Sequence, residues 1–194
     1  MKRQAEAVIP TDLGRFKMIA YADTAEEIMP HIALVHEDFD PDKTVLVRIH
    51  SECFTGDLFG SNKCDCGQQL SQSIQMASEQ GGVIIYLRQE GRGIGLINKL
   101  KAYQLQEKGA NTVDANTHLG LEVDARHYDI AVTMLQDLGI RAIHLLTNNP
   151  LKIEALEQSP IKIVSRVPIV IKAHKDSLGY LKTKQQVMGH LFNY

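Results

Sequence analysis

Cysteine is scarce in this 194-residue chain: there are three, an odd number, so no fully paired set of disulfides can form. Long apolar runs are missing too. Nothing is long enough to span a bilayer, which excludes the membrane as a partner, and the opening M-K-R-Q-A-E-A-V-I-P lacks the apolar centre of a signal peptide. A cytoplasmic protein is the expectation, in a compartment where thiols stay reduced and hold metals or do chemistry more often than they pair. Neither charge is in excess. Lys+Arg number 21 against 23 Asp+Glu, a net −2. That excludes the global basic field of a nucleic-acid binder, so any anion must be gripped locally. Prolines and glycines are scattered, and no repeat or low-complexity segment occurs. With 44% hydrophobic residues, this length can bury a substantial core, and a single domain over residues 1–194 is expected.

What is present concentrates in R-I-H-S-E-C-F-T-G-D-L-F-G-S-N-K-C-D-C-G-Q-Q-L, residues 48–70, which holds Cys53, Cys64 and Cys66 in a C-x10-C-x-C spacing. A structural zinc is closed by four protein ligands, whereas a catalytic one takes three and keeps a position open. Thiolates suit zinc, and C-x-C lets two sulfurs reach one metal across a tight turn eased by Gly67. Two other readings stand beside this one. Three cysteines can be small buried hydrophobes, although S-E-C and D-C-G are polar surroundings for that. A histidine, His50 or a distant one, can close a structural site.

Along the chain, residues 8–21 read as a hairpin around Leu13-Gly14, and H-I-A-L-V-H-E and T-V-L-V-R-I-H as strands. Leu70, Ile74 and Ala77 mark a helix over 70–80 stopped by Gly81-Gly82. The uniformly apolar V-I-I-Y-L is a central strand covered on both faces. It leads into R-Q-E-G-R-G-I-G-L and a helix closing at Gly109. Such a glycine-rich strand-to-helix loop can cradle phosphate, and Arg88 and Arg92 suit an anion there. Asp124 sits where the N-cap of a helix over A-R-H-Y-D-I-A-V-T-M-L-Q-D-L belongs, which places Arg126 in a first turn that disfavours cations unless a ligand phosphate is near. R-A-I-H-L-L-T is a further strand, N-N-P a turn, and L-K-I-E-A-L-E a short helix. Residues 161–171 add β structure, and residues 180–191 a final helix. The class is α/β: a mixed β-sheet covered by helices, with ligands at the strand ends near Thr147.

The motifs H-S-E-C-F-T-G-D-L-F-G-S-N-K-C-D-C-G, R-Q-E-G-R-G-I-G-L-I-N-K-L-K-A-Y, T-V-D-A-N with the later D-A-R, and L-L-T-N-N-P-L-K run in family order over nearly the whole chain. Together they resemble GTP cyclohydrolase II. The resemblance implies a GTP cyclohydrolase II-like fold and hydrolysis of GTP to 2,5-diamino-6-ribosylamino-4(3H)-pyrimidinone 5′-phosphate, formate and pyrophosphate, opening riboflavin biosynthesis. It implies one Zn2+ per chain on Cys53, Cys64 and Cys66, Mg2+ with the GTP phosphates, and a homodimer. Around GTP it places Arg48, Ile49, His50, Ser51, Glu52, Gln69, Glu90, Gly91, Arg92, Thr112, Thr147 and Lys152. The resemblance makes Asp124 the proton acceptor, Arg126 the residue that attacks the α-phosphate, and Tyr103 a residue near the base and the ring-opening chemistry. A guanidinium holds its proton above about pH 12 and is a poor nucleophile, so Arg126 reads better as a charge clamp on the phosphates unless Asp124 is close enough to assist its deprotonation. Lys63 and Phe54 depart from the expected Arg and Leu, which bears on tuning around the metal. The upstream domain for dihydroxybutanone phosphate formation found in some relatives is not expected. Two rival functions remain open from sequence: a paralogue that stops at the formylated pyrimidine, and a zinc-stabilised binding module without catalysis.

Overall fold

The structure is a computed structural model; it describes residues 1–109, 112–122 and 124–172 together with 177, 185, 189 and 191, and of Thr112 and Val113 the backbone alone. Strands β1 (Lys2–Thr11) and β2 (Gly14–Ala22) form the expected hairpin, followed by β3 (His31–His36) and β4 (Val45–Ser51). A single turn of helix, α1 (Phe54–Asp57), and the longer α2 (Cys66–Gln80) lead to β5 (Val83–Leu87). Beyond it lie a 3-10 turn (Glu90–Gly93), α3 (Gly95–Glu107), α4 (Thr112–His118) and α5 (Asp129–Asp137). The chain then runs through β6 (Ala142–Leu146), α6 (Pro150–Glu157) and β7 (Lys162–Val167). The helix expected over 180–191 falls almost wholly outside the described residues.

All strands join one seven-stranded sheet of order β1-β2-β3-β5-β4-β6-β7. The β1, β2, β3 and β5 neighbours pair antiparallel, whereas β5, β4, β6 and β7 are parallel. The mixed, helix-covered sheet is the class that the sequence indicates.

The period of two along the central strands assigns the faces. Val45, Val47 and Ile49 of β4 with Val83, Ile85 and Leu87 of β5 pack beneath Met134 and Leu135 of α5 and Leu156 of α6. On the other face Ile84 meets Phe16 and Ala77, and Leu46 meets Leu146 and Met76, so α2 covers that side. Arg48 and His50 share the Leu46 face of β4, and that alternation delivers them to the site. Gly81 ends α2 in the left-handed region (φ 62°), and a Cβ there would meet the Asp38 carbonyl at 2.7 Å, so glycine is required. Asn149 caps α6 by accepting from Leu151 N (3.0 Å), with Pro150 at the first helical position.

Two expectations are corrected. Helix α2 begins at Cys66, not Leu70, so the third cysteine opens a helix. The helix placed directly after Asp124 begins only at Asp129. Asp124 accepts from Arg126 N (3.2 Å) and clasps the Arg126 guanidinium, a side-chain turn that competes with helix. Asp124 is therefore no N-cap, and Arg126 lies in a loop where the helix dipole gives no reason for or against it.

Candidate active site at the ends of the central strands

Cys53 lies two residues past the end of β4 and stands at the head of α1, Cys64 lies in the turn after it, and Cys66 opens α2. Their sulfurs all lie within 4.8 Å of one another. Cys53 Sγ and Cys64 Sγ are 3.6 Å apart. Tetrahedral zinc with Zn–S bonds of about 2.3 Å requires sulfurs about 3.8 Å apart, so the donors fit that ion by type and by spacing. Two glycines make the approach possible. A Cβ on Gly56 would meet Cys64 Sγ at 2.9 Å and Cys53 Sγ at 3.1 Å, and one on Gly67 would stand 2.2 Å from the Gly56 carbonyl oxygen. Here α1 and α2 touch backbone to backbone.

Buried charge surrounds the sulfurs. The Lys99 ammonium on α3 donates to Cys53 Sγ (3.2 Å) and to Glu90 Oε1 (2.8 Å). Glu90 Oε2 also receives Phe54 N, at 2.5 Å, so one carboxylate joins the glycine-rich turn to the head of α1. S–H donors from Cys64 and Cys66 push Cys53 down despite burial, with Lys99 assisting; Cys64, donating to Cys53, is pushed up to about 11. Burial alone would lower Lys99, but the Cys53 thiolate and Glu90 outweigh it and hold the ammonium above the ordinary lysine range.

Tyr103, one turn beyond Lys99, lies against the same cluster, and Lys63 Nζ sits 4.6 Å from its ring centroid. Lys63 also reaches Glu107 (3.1 Å), so this departure from the family pattern braces the tyrosine. Burial keeps the Tyr103 phenol protonated well above the ordinary range. Phe54 packs edge-on against Phe59.

His50 does not join the cysteine cluster: its Nε2 faces both Asp57 carboxylate oxygens at 3.1 Å. Among the described residues no histidine stands with the sulfurs. The closed-site alternative thus finds no fourth ligand there.

Beside the cysteines, buried Arg48 donates to Leu146 O (3.1 Å) and Gln69 Oε1 (2.6 Å), and Gln69 donates to Asp65 (2.5 Å). Burial pulls the Arg48 guanidinium down to about 10, and its Nε has no hydrogen-bond partner among the described residues. Ile49 points into the core and offers its carbonyl to Lys152 Nζ (2.8 Å). Ser51 ends β4, and Glu52 takes Arg88 (2.6 Å), which turns that arginine away from the anion role. Thr147, buried at the end of β6, accepts Asn149 N (3.1 Å).

The remaining candidates meet across two loops. Gly91 and Arg92 adopt left-handed conformations (φ 62° and 63°), and Arg92 O receives Ala125 N (3.0 Å). A Cβ on Gly93 would stand 2.9 Å from Ala125 O, so the turn and the Asp124–Arg126 loop touch directly. Arg126 Nε and Nη2 reach the two Asp124 oxygens at 2.7 and 2.5 Å. Burial would raise Asp124, but Arg126 and Arg92 hold it below the usual carboxylate range. Arg126 Cζ and Lys152 Nζ flank the Tyr128 ring at 5.9 and 5.5 Å, so two cations from distant parts of the sequence share one aromatic platform. The Thr112 side chain lies outside the described residues.

Sequence reasoning missed Lys99 and Asp57. For Lys99 a signal exists, because it shares a helical face with Ala102 and Tyr103. For Asp57 there is none, since its partners come from β4, β5 and the head of α1.

A family model described as GTP cyclohydrolase II matches residues 2–168. Similar curated proteins include riboflavin biosynthesis protein RibBA of Bacillus cereus, 49% identical over 98% of this chain, and its Bacillus mycoides counterpart, 47% identical over the same share. The chain spans about half the length of these relatives, 48% of each. A crystal structure of RibBX, a two-domain 3,4-dihydroxy-2-butanone 4-phosphate synthase from A. baumannii, overlaps 88% of this chain and 40% of its own at 20% identity and a TM-score of 0.49, a distant likeness. The family match runs from β1 to β7, through every element that brings a cysteine or a cation to the site: the chain belongs to the GTP cyclohydrolase II family.

Proposed function

We propose that this chain hydrolyses GTP, opening the imidazole ring and releasing formate and pyrophosphate to give 2,5-diamino-6-ribosylamino-4(3H)-pyrimidinone 5′-phosphate, the entry to riboflavin biosynthesis. The observation that carries the reading is the three-sulfur cluster, gathered within 4.8 Å with one pair at 3.6 Å, next to a loop pair that gathers Arg92, Asp124 and Arg126. Cys53, Cys64 and Cys66 hold Zn2+, which supplies a Lewis acid for hydrolytic attack at neutral pH. Lys99 places positive charge against Cys53 and so favours its thiolate form, the form that ligates. Tyr103, kept protonated, offers the base a hydrogen-bond donor.

Arg48, the adjoining His50, Ser51 and Glu52, the Ile49 backbone and Gln69 form the nucleoside side of the GTP site. Glu90, Gly91, Arg92, Thr112, Thr147 and Lys152 form the rest, with Mg2+ accompanying the triphosphate. Arg126 acts as a charge clamp. Its two-pronged pairing with a carboxylate of lowered pKa keeps both groups ionised, which leaves the guanidinium without the lone pair that attack on phosphorus requires. Phosphate that draws Arg126 away removes the larger of the two interactions that depress Asp124, so that burial counts for more and raises its basicity. Arrival of the triphosphate thereby readies Asp124 as proton acceptor. A cytoplasmic homodimer completes the proposal on the family likeness, and sedimentation of a fully active monomer would remove that part.

The test is to incubate the zinc-loaded protein with GTP and Mg2+ and to measure formate and pyrophosphate in parallel. Equal yields of both support the reading. Pyrophosphate without formate would mean either a closed ring or hydrolysis that stops at the formylated pyrimidine, which the product mass tells apart, and neither product would leave a binding module.

A further inference from the structure

Asp57 is the most heavily engaged acidic side chain near the sulfurs, and the chemistry above does not use it. It lies on α1, a turn of sequence F-T-G-D whose threonine and glycine are poor helix formers. Its side chain is 3% exposed. Oδ2 accepts from Cys53 N (2.9 Å) and from the Tyr86 hydroxyl (2.8 Å), while His50 Nε2 lies 3.1 Å from both oxygens. In return Asp57 N donates to Cys53 O at 2.7 Å. This reciprocal clasp resembles the returning half of a capping box, shifted one residue along the helix.

The donors come from three places. His50 and Tyr86 are direct register partners on β4 and β5, with rings stacked at a centroid distance of 5.4 Å. The Cys53 amide belongs to the residue that carries the first sulfur. One carboxylate therefore ties the two central strands to the start of α1 and fixes where the Cys53 side chain leaves the backbone. Both Asp57 oxygens face His50 Nε2 at 3.1 Å, which places a hydrogen-bond donor there and the ring proton on Nε2. Nδ1 is then a lone pair, and it has no hydrogen-bond partner among the described residues.

We propose that Asp57 is the positioning residue of the metal centre: by accepting from Cys53, Tyr86 and His50 together, it holds the Cys53 sulfur in register with those of Cys64 and Cys66 and fixes His50 in its Nε2–H form. The proposal rests on the reading of the three cysteines as zinc ligands, but not on turnover of GTP. Asn in its place keeps the shape, offers one acceptor oxygen and turns an NH2 group toward one of three donors.

The test uses the full chain loaded with zinc. Asp57→Asn should weaken zinc binding roughly 10- to 100-fold in chelator competition, the usual cost of losing an outer-shell partner. The His50 ring nitrogens, followed by 15N NMR, should shift from the pure Nε2–H pattern to a tautomer mixture. Tyr86→Phe removes one donor and leaves the acceptor with its bond to Cys53 N, so zinc affinity should fall less than in Asp57→Asn and the tautomer should stay unchanged. Wild-type affinity together with an unchanged His50 pattern in Asp57→Asn would overturn the proposal. If Asp57→Asn does not fold, the wild-type spectrum decides: His50 protonated on Nδ1 overturns it, and protonation on Nε2 supports it. Wild type that binds zinc without turning over GTP would count against the proposed reaction and leave the role of Asp57 standing.

Discussion

Replacing Gly67 with alanine should separate the two helices that carry the cysteines. The new Cβ would lie 2.2 Å from the Gly56 carbonyl oxygen, where ordinary contact begins at 3.4 Å, so α1 and α2 must part by about 1.2 Å. Cys53 stands at the head of α1 and Cys66 at the head of α2, so the gap opens between metal donors. Metal–ligand distances tolerate only about 0.2 Å, several times less than the displacement. Overpacking of this kind costs about 1–3 kcal/mol, or roughly 2–12 °C in Tm for a chain of this size. The useful comparison is Gly60→Ala, at a positive φ of 60° with nothing within 4 Å of the added carbon. That change costs about 1 kcal/mol of backbone strain and should lower Tm without touching the sulfurs. Zinc per chain after gel filtration, measured beside thermal melting, separates the two effects. Gly67→Ala should lose most of its zinc, and Gly60→Ala should keep it. Full zinc retention by Gly67→Ala would refute the view that backbone contact between α1 and α2 sets the metal geometry.

Cys64→Ser should abolish metal binding and formate release together, while some pyrophosphate release survives in an otherwise folded protein; wild-type formate yield from the metal-free variant would refute the hydrolytic role. Arg126→Ala should end pyrophosphate release, and Arg126→Lys should also fail, because an ammonium cannot reproduce a planar two-pronged contact; a normal rate from Arg126→Ala would reduce the residue to a loop arginine. On the far side of the sheet, Asp137 receives Tyr21 (2.7 Å) and Arg3, and these hold it below the ordinary carboxylate range although burial opposes them. A depressed folded pKa gives stability that is present above the unfolded value of about 3.9 and is lost as pH falls through the folded one. Asp137→Asn should therefore melt below wild type at pH 7, with the difference closing below about pH 4; a difference constant down to pH 2 would contradict that anchor.

Much of the sheet is legible because burial on both faces leaves a local mark. The apolar runs of β4, β5 and β6 announce themselves, as do Gly81 after α2 and Asn149-Pro150 before α6. The cysteine spacing exposes the candidate metal site, since three donors of one type need no tertiary information to be noticed. Asp124 misled because one residue type serves two local structures: its carboxylate can cap a helix or close a turn on the residue two positions on, and the Arg126 guanidinium favoured the turn. The insertion of β5 between β3 and β4 is a non-local pairing that periodicity does not encode. Lys99 and Asp57 stayed hidden for a related reason. A charged side chain in a helix or turn reads as solvent-facing until the partners that bury it are known.

The most direct measurement follows the C8 carbon of the base. With GTP labelled with 13C at C8, zinc-loaded protein and Mg2+, the label should leave the nucleotide as free formate, while pyrophosphate appears and the mass of the remaining product matches the diamino pyrimidine phosphate. Label retained as a formamide on the opened ring would mean that hydrolysis stops one step earlier. Label retained in an intact purine, with zinc bound and GTP in excess, would contradict the account.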